Sequence, residues 1–274
     1  MWSGPRTPPL VPAAARRPRG VSVDTAAPDH IGYLDAAAAV PLAQDYKQRT
    51  VAALHIRPGD TVLDVGCGPG TDLARLADAA GPDGTVIGID ADPAMVEEAT
   101  RRFSGKPAVR IQPGDAHALP LPDASVDRAR IDRVLQHLTD PSRALAELHR
   151  VLRTGGRLAM AEPDWDTLAV DDPDTDTCRA YARYVADNVR NGVVGRQLAR
   201  RATEVGFTVE RVDATVLLFR DFTSAERVLG LRRVAARAVR DGVLAQAAAR
   251  AWLDRLATGP CLAGFTFYTV VAVR

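Results

Sequence analysis

Residues Val62 to Gly70 read Val-Leu-Asp-Val-Gly-Cys-Gly-Pro-Gly, an apolar strand running directly into three glycines at alternate positions. With no Cβ at Gly66, Gly68 and Gly70 the backbone can bend sharply and approach a ligand closely, and the helix signalled by Thr71-Asp72-Leu73 aims its N-terminus at the same place. The stretch reads as a nucleoside-binding turn of an α/β protein. Its spacing narrows the ligand. A dinucleotide fingerprint, G-x-G-x-x-G, would put its last glycine at position 71, which is Thr here, and the third glycine falls one residue early. NAD is therefore disfavoured.

Asp64 stands two residues before the first glycine, and Asp90 closes the next strand in Val86-Ile87-Gly88-Ile89-Asp90. With the G-x-G-x-G turn, these acids resemble the class I S-adenosylmethionine-dependent methyltransferases. The resemblance implies an α/β fold: a seven-stranded, mostly parallel Rossmann-like sheet with a reversed C-terminal hairpin, helices on both faces and a helical lid. It implies S-adenosylmethionine as cofactor and S-adenosylhomocysteine as by-product. Carried over residue by residue, Asp64, Gly66, Cys67, Gly68 and Gly70 build the turn under the methionine portion, and Asp90 accepts from the ribose hydroxyls, two of which an ionised carboxylate can serve at once. Ala91 and Met95 follow Asp90 along the cofactor, and Gly114-Asp115-Ala116 falls where the family meets adenine. Ile131 and Arg133 complete the set, Arg133 meeting either the cofactor carboxylate or its neighbour Asp132.

The acceptor side is expected from three further segments. Arg133 to Leu138, after the fourth strand, resembles the region that small-molecule members place between methionine tail and substrate, and His137 there is either a base for the acceptor or a packing histidine. Glu162-Pro163-Asp164-Trp165 closes the fifth strand. Glu162 is expected as a base or a substrate holder, and Trp165 as a flat apolar wall or as packing under the lid. Arg196, in Asn191-Gly192-Val193-Val194-Gly195-Arg196, and Tyr33, in the helices before the first strand, are the remaining substrate candidates. No metal site is expected. The segment Ile131 to Trp165 looks most like the ubiquinone and menaquinone biosynthesis-type enzymes, within a resemblance covering about residues 45–165.

Along the chain, prolines at 5, 8, 9, 12, 18 and 28 and the cluster Arg16, Arg17, Arg19 predict a disordered tail over 1–28. Residues 29–274 then read as one domain, with N-terminal lid helices over 29–57 and lid insertions at 163–194 and 221–260. Strands are predicted at 85–90, 109–112, 126–132, 157–161, 208–219 and 265–273, alternating through Ala161 with helices opened by Asp92-Pro93 and Asp140-Pro141, the pattern of a parallel sheet with crossovers.

Composition bounds the partners. The 35 basic and 34 acidic residues leave a net charge of +1, without the basic footprint of a nucleic-acid binder. A small-molecule acceptor is expected, and no nucleic acid. No apolar run spans a membrane or resembles a secretory signal, so a cytoplasmic location is expected. Cys67, Cys178 and Cys261 are scattered and read as reduced thiols. The expected reaction is methyl transfer to carbon, oxygen or nitrogen of a small metabolite of secondary metabolism or of quinone or isoprenoid type. A cofactor-binding enzyme that does not methylate, such as a cyclase, and an RNA or protein methyltransferase are the rivals. A homodimer is left open.

Overall fold

The computed structural model describes residues 30–38 and 41–274, with the backbone alone described at 30, 33, 36, 37 and 41–43. The expected tail over 1–28 lies outside the described residues. Helices α1 (His30–Ala38) and α2 (Pro41–Ala53) precede β1 (Thr61–Val65), α3 (Leu73–Ala80), β2 (Thr85–Asp90), α4 (Pro93–Arg102) and β3 (Val109–Pro113). The chain continues through β4 (Val126–Asp132), a single 3-10 turn at Leu135–His137, α5 (Pro141–Val151) and β5 (Leu152–Val170). Then come α6 (Thr175–Asn188), α7 (Val194–Glu204), β6 (Thr208–Phe219), α8 (Phe222–Leu229), α9 (Leu231–Arg240), α10 (Gln246–Thr258) and β7 (Ala263–Val273).

The seven strands form one sheet in the order β3-β2-β1-β4-β5-β7-β6. The first five in that order run parallel, and β7 pairs antiparallel with both β5 and β6. The chain winds outward from β1 in one direction and from β4 in the other, so the crevice beyond the carboxyl ends of these two neighbours is the natural ligand position. Helix starts follow their sequence signals. Asp92, Asp140, Asp174 and Asp221 each accept a backbone N–H of the first turn, from Ala94, Arg143, Thr177 and Ser224, which satisfies a donor the helix itself leaves unpaired.

Alternation along the strands sends side chains to both faces. Leu63, Ile89, Ala129, Ile131 and Leu158 pack with Leu145 and Leu148 of α5 and Leu198 of α7, while Val62, Val86 and Ala159 meet Val51 and Leu54 near α2 and Leu73 and Leu76 of α3. A third cluster joins α6, α8, α9 and α10 to Phe265 and Phe267 of β7, with Tyr181 against Trp252 at its centre.

One segment differs from the sequence reading. Residues 163–170, expected to open a roof insertion, continue β5, with Asp164 opposite Thr266 and Ala169 opposite Gly264 on either side of an irregularity in the ladder. Thr167 spans the irregularity, its Oγ1 accepting from Thr266 N at 2.7 Å. The partner strand lies a hundred residues downstream, so no local pattern announces the extension. Among the described residues no helix is long and apolar enough to cross a membrane.

Candidate active site

At the carboxyl end of β1 the chain reverses through Gly66, Gly68 and Gly70, with φ of 71°, 55° and 84°. An L side chain in this region costs about 1–2 kcal/mol, so three such angles in five residues explain the glycines. Gly66 N and Cys67 N both donate to Ile89 O, at 2.7 and 3.1 Å, fastening the turn to β2. Asp90 adds a second fastening: its Oδ2 accepts from Gly68 N at 2.8 Å and its Oδ1 from Asp92 N at 2.9 Å. A Cβ on Gly66 would collide with Val134 Cγ2, so turn and post-β4 loop touch at a point that only glycine fits.

That loop is held unusually firmly. Arg133 has φ +58°, a conformation L residues rarely adopt, and its N–H donates to Ala161 O. Glu162 is fully buried, and its Oε1 accepts from Val134 N at 2.8 Å and Leu135 N at 2.6 Å. Its Oε2 is buried without a hydrogen-bond partner among the described residues, and burial, with Asp132 nearby, raises its carboxyl well above the ordinary range. Trp165 Nε1 donates to Gln136 Oε1 at 2.7 Å, and Asn191 Nδ2 donates to the carbonyls of Leu135 and Leu138.

Beneath the turn lies a buried charge network. Arg130 donates to Asp64 at 3.0 Å, to Asp72 at 2.8 Å and to Asp132. Lys47, 2% exposed, donates to Asp72 at 2.6 Å, and Tyr46 Oη to Asp132 at 3.2 Å. Burial pushes the Asp64 carboxyl up to about 6 despite Arg130. Burial also works to raise Asp72, but Arg130 and Lys47 outweigh it and hold that carboxyl far below the usual range. Burial raises the Cys67 thiol, which is thus neutral and unreactive.

Turn, loop and network enclose a cavity of roughly 350 Å³. On its wall are Gly66, Cys67, Gly68, Asp90, Ala91, Met95, Gly114, Asp115, Ala116, Arg133 and His137, brought together from four segments. Asp64 and Ile131 lie behind the wall, and Gly70 packs against Phe103 rather than the cavity. Asp115 is tied to His117, accepting from its backbone N–H at 2.9 Å and meeting Nδ1 at 2.6 Å, which holds its carboxyl below the usual range.

Three acceptor-side expectations are corrected. Glu162 and Trp165 are buried under the post-β4 loop and reach its backbone and Gln136, not the cavity. Arg196 clasps Asp164 through two nitrogens and approaches Asp166 at 3.3 Å, a structural pair joining α7 to β5. Extension of β5 turns these side chains into the fold. The side chain of Tyr33 lies outside the described residues. Unforeseen wall residues are Leu34, Lys47 and Asp72. Lys47 carried a faint signal, being one of two lysines in an arginine-rich chain. Its compact ammonium suits a narrow buried site.

The model of the Methyltransferase domain family matches residues 63–160, the span from the glycine turn to the fifth strand. That span is a methyltransferase domain of the class I S-adenosylmethionine-dependent type. Among relatives of this class, a demethylmenaquinone methyltransferase of Symbiobacterium thermophilum is 40% identical over 124 residues, 43% of this chain and 49% of that protein, so the chain spans about half the length of that relative. An uncharacterised 37.1 kDa protein in transposon TN4556 of Streptomyces fradiae is 54% identical over 250 residues, 91% of this chain and 72% of that protein. The crystal structure of the YcgJ protein from Bacillus subtilis superposes with a TM-score of 0.60 at 21% identity, covering 84% of this chain and 98% of the other.

The cavity fits the methyltransferase cofactor. Its size falls in the range of small-ligand sites. Ala91, Met95 and Ala116 supply apolar wall beside the acids Asp90 and Asp115, and the wall also holds Lys47 and Arg133 with Asp72 and Asp132, a charge pattern suited to a zwitterionic amino acid.

Proposed function

We propose that this methyltransferase acts on a small, largely apolar acceptor of quinol or isoprenoid type, with His137 receiving the acceptor's proton. The observation that carries this reading is that His137 shares one cavity wall with the glycine turn, flanked by the apolar side chains Leu34, Val134 and Leu138. Identity to demethylmenaquinone methyltransferases over about half of their length supports the acceptor class.

When bound, S-adenosylmethionine supplies an activated methyl group and leaves as S-adenosylhomocysteine. Asp90 holds the ribose hydroxyls while its carboxylate keeps Gly68 in place, and the Ala116 N–H and Asp115 face the adenine. Lys47 and Arg133 meet the methionine carboxylate, and Asp132 and Asp72 its ammonium. The rigid loop sets His137 at the other side, where its imidazole takes the acceptor proton as the new bond to carbon forms. Helices α1, α6, α8, α9 and α10 act as the lid that excludes water and selects the acceptor.

Incubation with methyl-labelled cofactor and a panel of demethylated quinols tests the reading. Label in the quinol is expected. An acceptor rearranged without gaining label, or label transferred only to RNA or protein, would contradict it.

A further inference from the structure

Gly114-Asp115-Ala116-His117-Ala118 forms a tight turn after β3, closed by Ala118 N–H donating to Asp115 O at 2.9 Å. Within it Asp115 Oδ1 meets two groups of His117, the backbone N–H at 2.9 Å and ring Nδ1 at 2.6 Å. The far side of the ring reaches another element. Asp140 N, at the start of α5, donates to His117 Nε2 at 3.2 Å, and Thr139 Oγ1 lies 3.3 Å from the same nitrogen. A backbone N–H can only donate, so Nε2 is an acceptor without a hydrogen, and the ring proton sits on Nδ1, which donates it to Asp115. Arg143 Nε donates to His117 O at 2.9 Å and fastens the residue to α5 once more. The imidazole is thus fixed in orientation and in tautomer from both sides.

That fixes the carboxylate as well. Both donors meet Oδ1, and Oδ2 takes no donor among the described residues. Asp115 lies on the cavity wall beside Ala116, whereas His117 stands outside it. We propose that His117 is a positioning residue for nucleobase recognition: it holds Asp115 so that Oδ2 accepts the amino group of the cofactor's adenine, and thereby makes the site prefer a 6-amino to a 6-oxo purine. The inference rests on the reading that adenine lies against Asp115 and the Ala116 N–H. A 6-oxo purine there sets its carbonyl oxygen against the carboxylate and its ring N–H against the Ala116 N–H, so both contacts turn repulsive. How strongly the site rejects it depends on whether the carboxylate can turn away. Without the Nδ1 donor, Oδ1 keeps only the His117 backbone N–H and the group can pivot about that single bond.

Calorimetric titration of the full chain with S-adenosylhomocysteine and with S-inosylhomocysteine, its 6-oxo counterpart, tests the assignment, with thermal melting followed in parallel. The wild type is expected to bind the adenine compound more tightly by about 10–100-fold. His117→Ala is expected to bring that ratio to within a few fold of one. His117→Asn and His117→Gln separate the two sides of the ring. An Asn amide nitrogen lies as many bonds from Cα as Nδ1 and can donate to Asp115, so this variant keeps the preference. A Gln amide oxygen lies as many bonds away as Nε2 and can accept from Asp140 N, so this variant melts close to the wild type yet loses the preference. A merely structural histidine would make the two properties fall together. A preference kept in His117→Ala or His117→Gln, or lost in His117→Asn, would overturn the proposal, and the comparison of Asn with Gln stands even if His117→Ala does not fold. A folded wild type that binds both nucleosides alike would overturn it too, by removing the amino group from Asp115, whereas one that binds neither would overturn the cofactor reading itself.

Discussion

The carboxylate of Glu162 accepts the backbone N–H groups of Val134 and Leu135, 28 and 27 residues away in sequence, from a fully buried position below the loop that carries His137. An acid at the end of the fifth strand thereby holds the wall of the cavity without entering it. Glu162→Gln keeps an acceptor oxygen for both donors, and turnover is expected to fall no more than a few fold. Glu162→Ala strands two buried N–H groups and is expected to cost about 2–4 kcal/mol of stability, by denaturant titration. Loss of turnover in Glu162→Gln with unchanged cofactor affinity would instead make Glu162 a participant in the chemistry.

Val134 presses on the glycine turn from the other side. Gly66→Ala adds a methyl group that collides with the Val134 side chain and strains a residue at φ 71°. Affinity for S-adenosylhomocysteine is expected to drop at least a hundredfold. Val134→Ala makes room, so the double variant recovers part of the loss, and calorimetry on the four proteins should give a coupling of about 1–2 kcal/mol. Additive losses would show that the two residues do not meet.

The buried network makes stability depend on pH in a stated direction. Burial raises the Asp64 carboxyl from 3.8 to about 6, so the stability it contributes is full below its unfolded value and is lost as pH rises through about 6. The whole loss is about 3 kcal/mol, of which about 2 falls between pH 4.5 and 7.5. Asp72, held far below the usual range, works the other way: its contribution is lost only as pH falls below the ordinary carboxylate values. Across pH 4.5–7.5 the stability difference between wild type and Asp64→Asn should therefore move toward the variant by about 2 kcal/mol. A difference flat with pH would contradict the assignment.

His137→Ala is expected to slow methyl transfer by about 10²–10⁴, the range for a general base, while nucleoside affinity stays within a few fold. Full activity in the variant would return His137 to a packing role.

The parts of the site that depend on short-range chemistry were legible in the chain. Three glycines at positive φ, the acid closing β2 and the Gly-Asp-Ala turn after β3 each carry their geometry in their own residue types, and all but Gly70 converge on one wall. Glu162 and Trp165 read as substrate contacts because they sit where a shorter β5 would end, and Arg196 because it lies near a helix start. Pairing with Thr266 and Gly264, about a hundred residues downstream, prolongs that strand and buries or pairs them. Lys47 and Asp72 were missed for a related reason: they become one ion pair only when α2 packs over the turn, a contact between segments 25 residues apart.

The most direct test of the whole is titration of the purified, folded chain with S-adenosylhomocysteine by calorimetry. One site per chain is expected, with a dissociation constant on the order of micromolar, and Asp90→Ala should weaken it by about 10–100-fold, the 1.5–3 kcal/mol of charge-assisted hydrogen bonds lost. No heat and no thermal shift from a folded wild type, or an Asp90→Ala variant that binds as tightly, would contradict the placement of the nucleoside on the glycine turn.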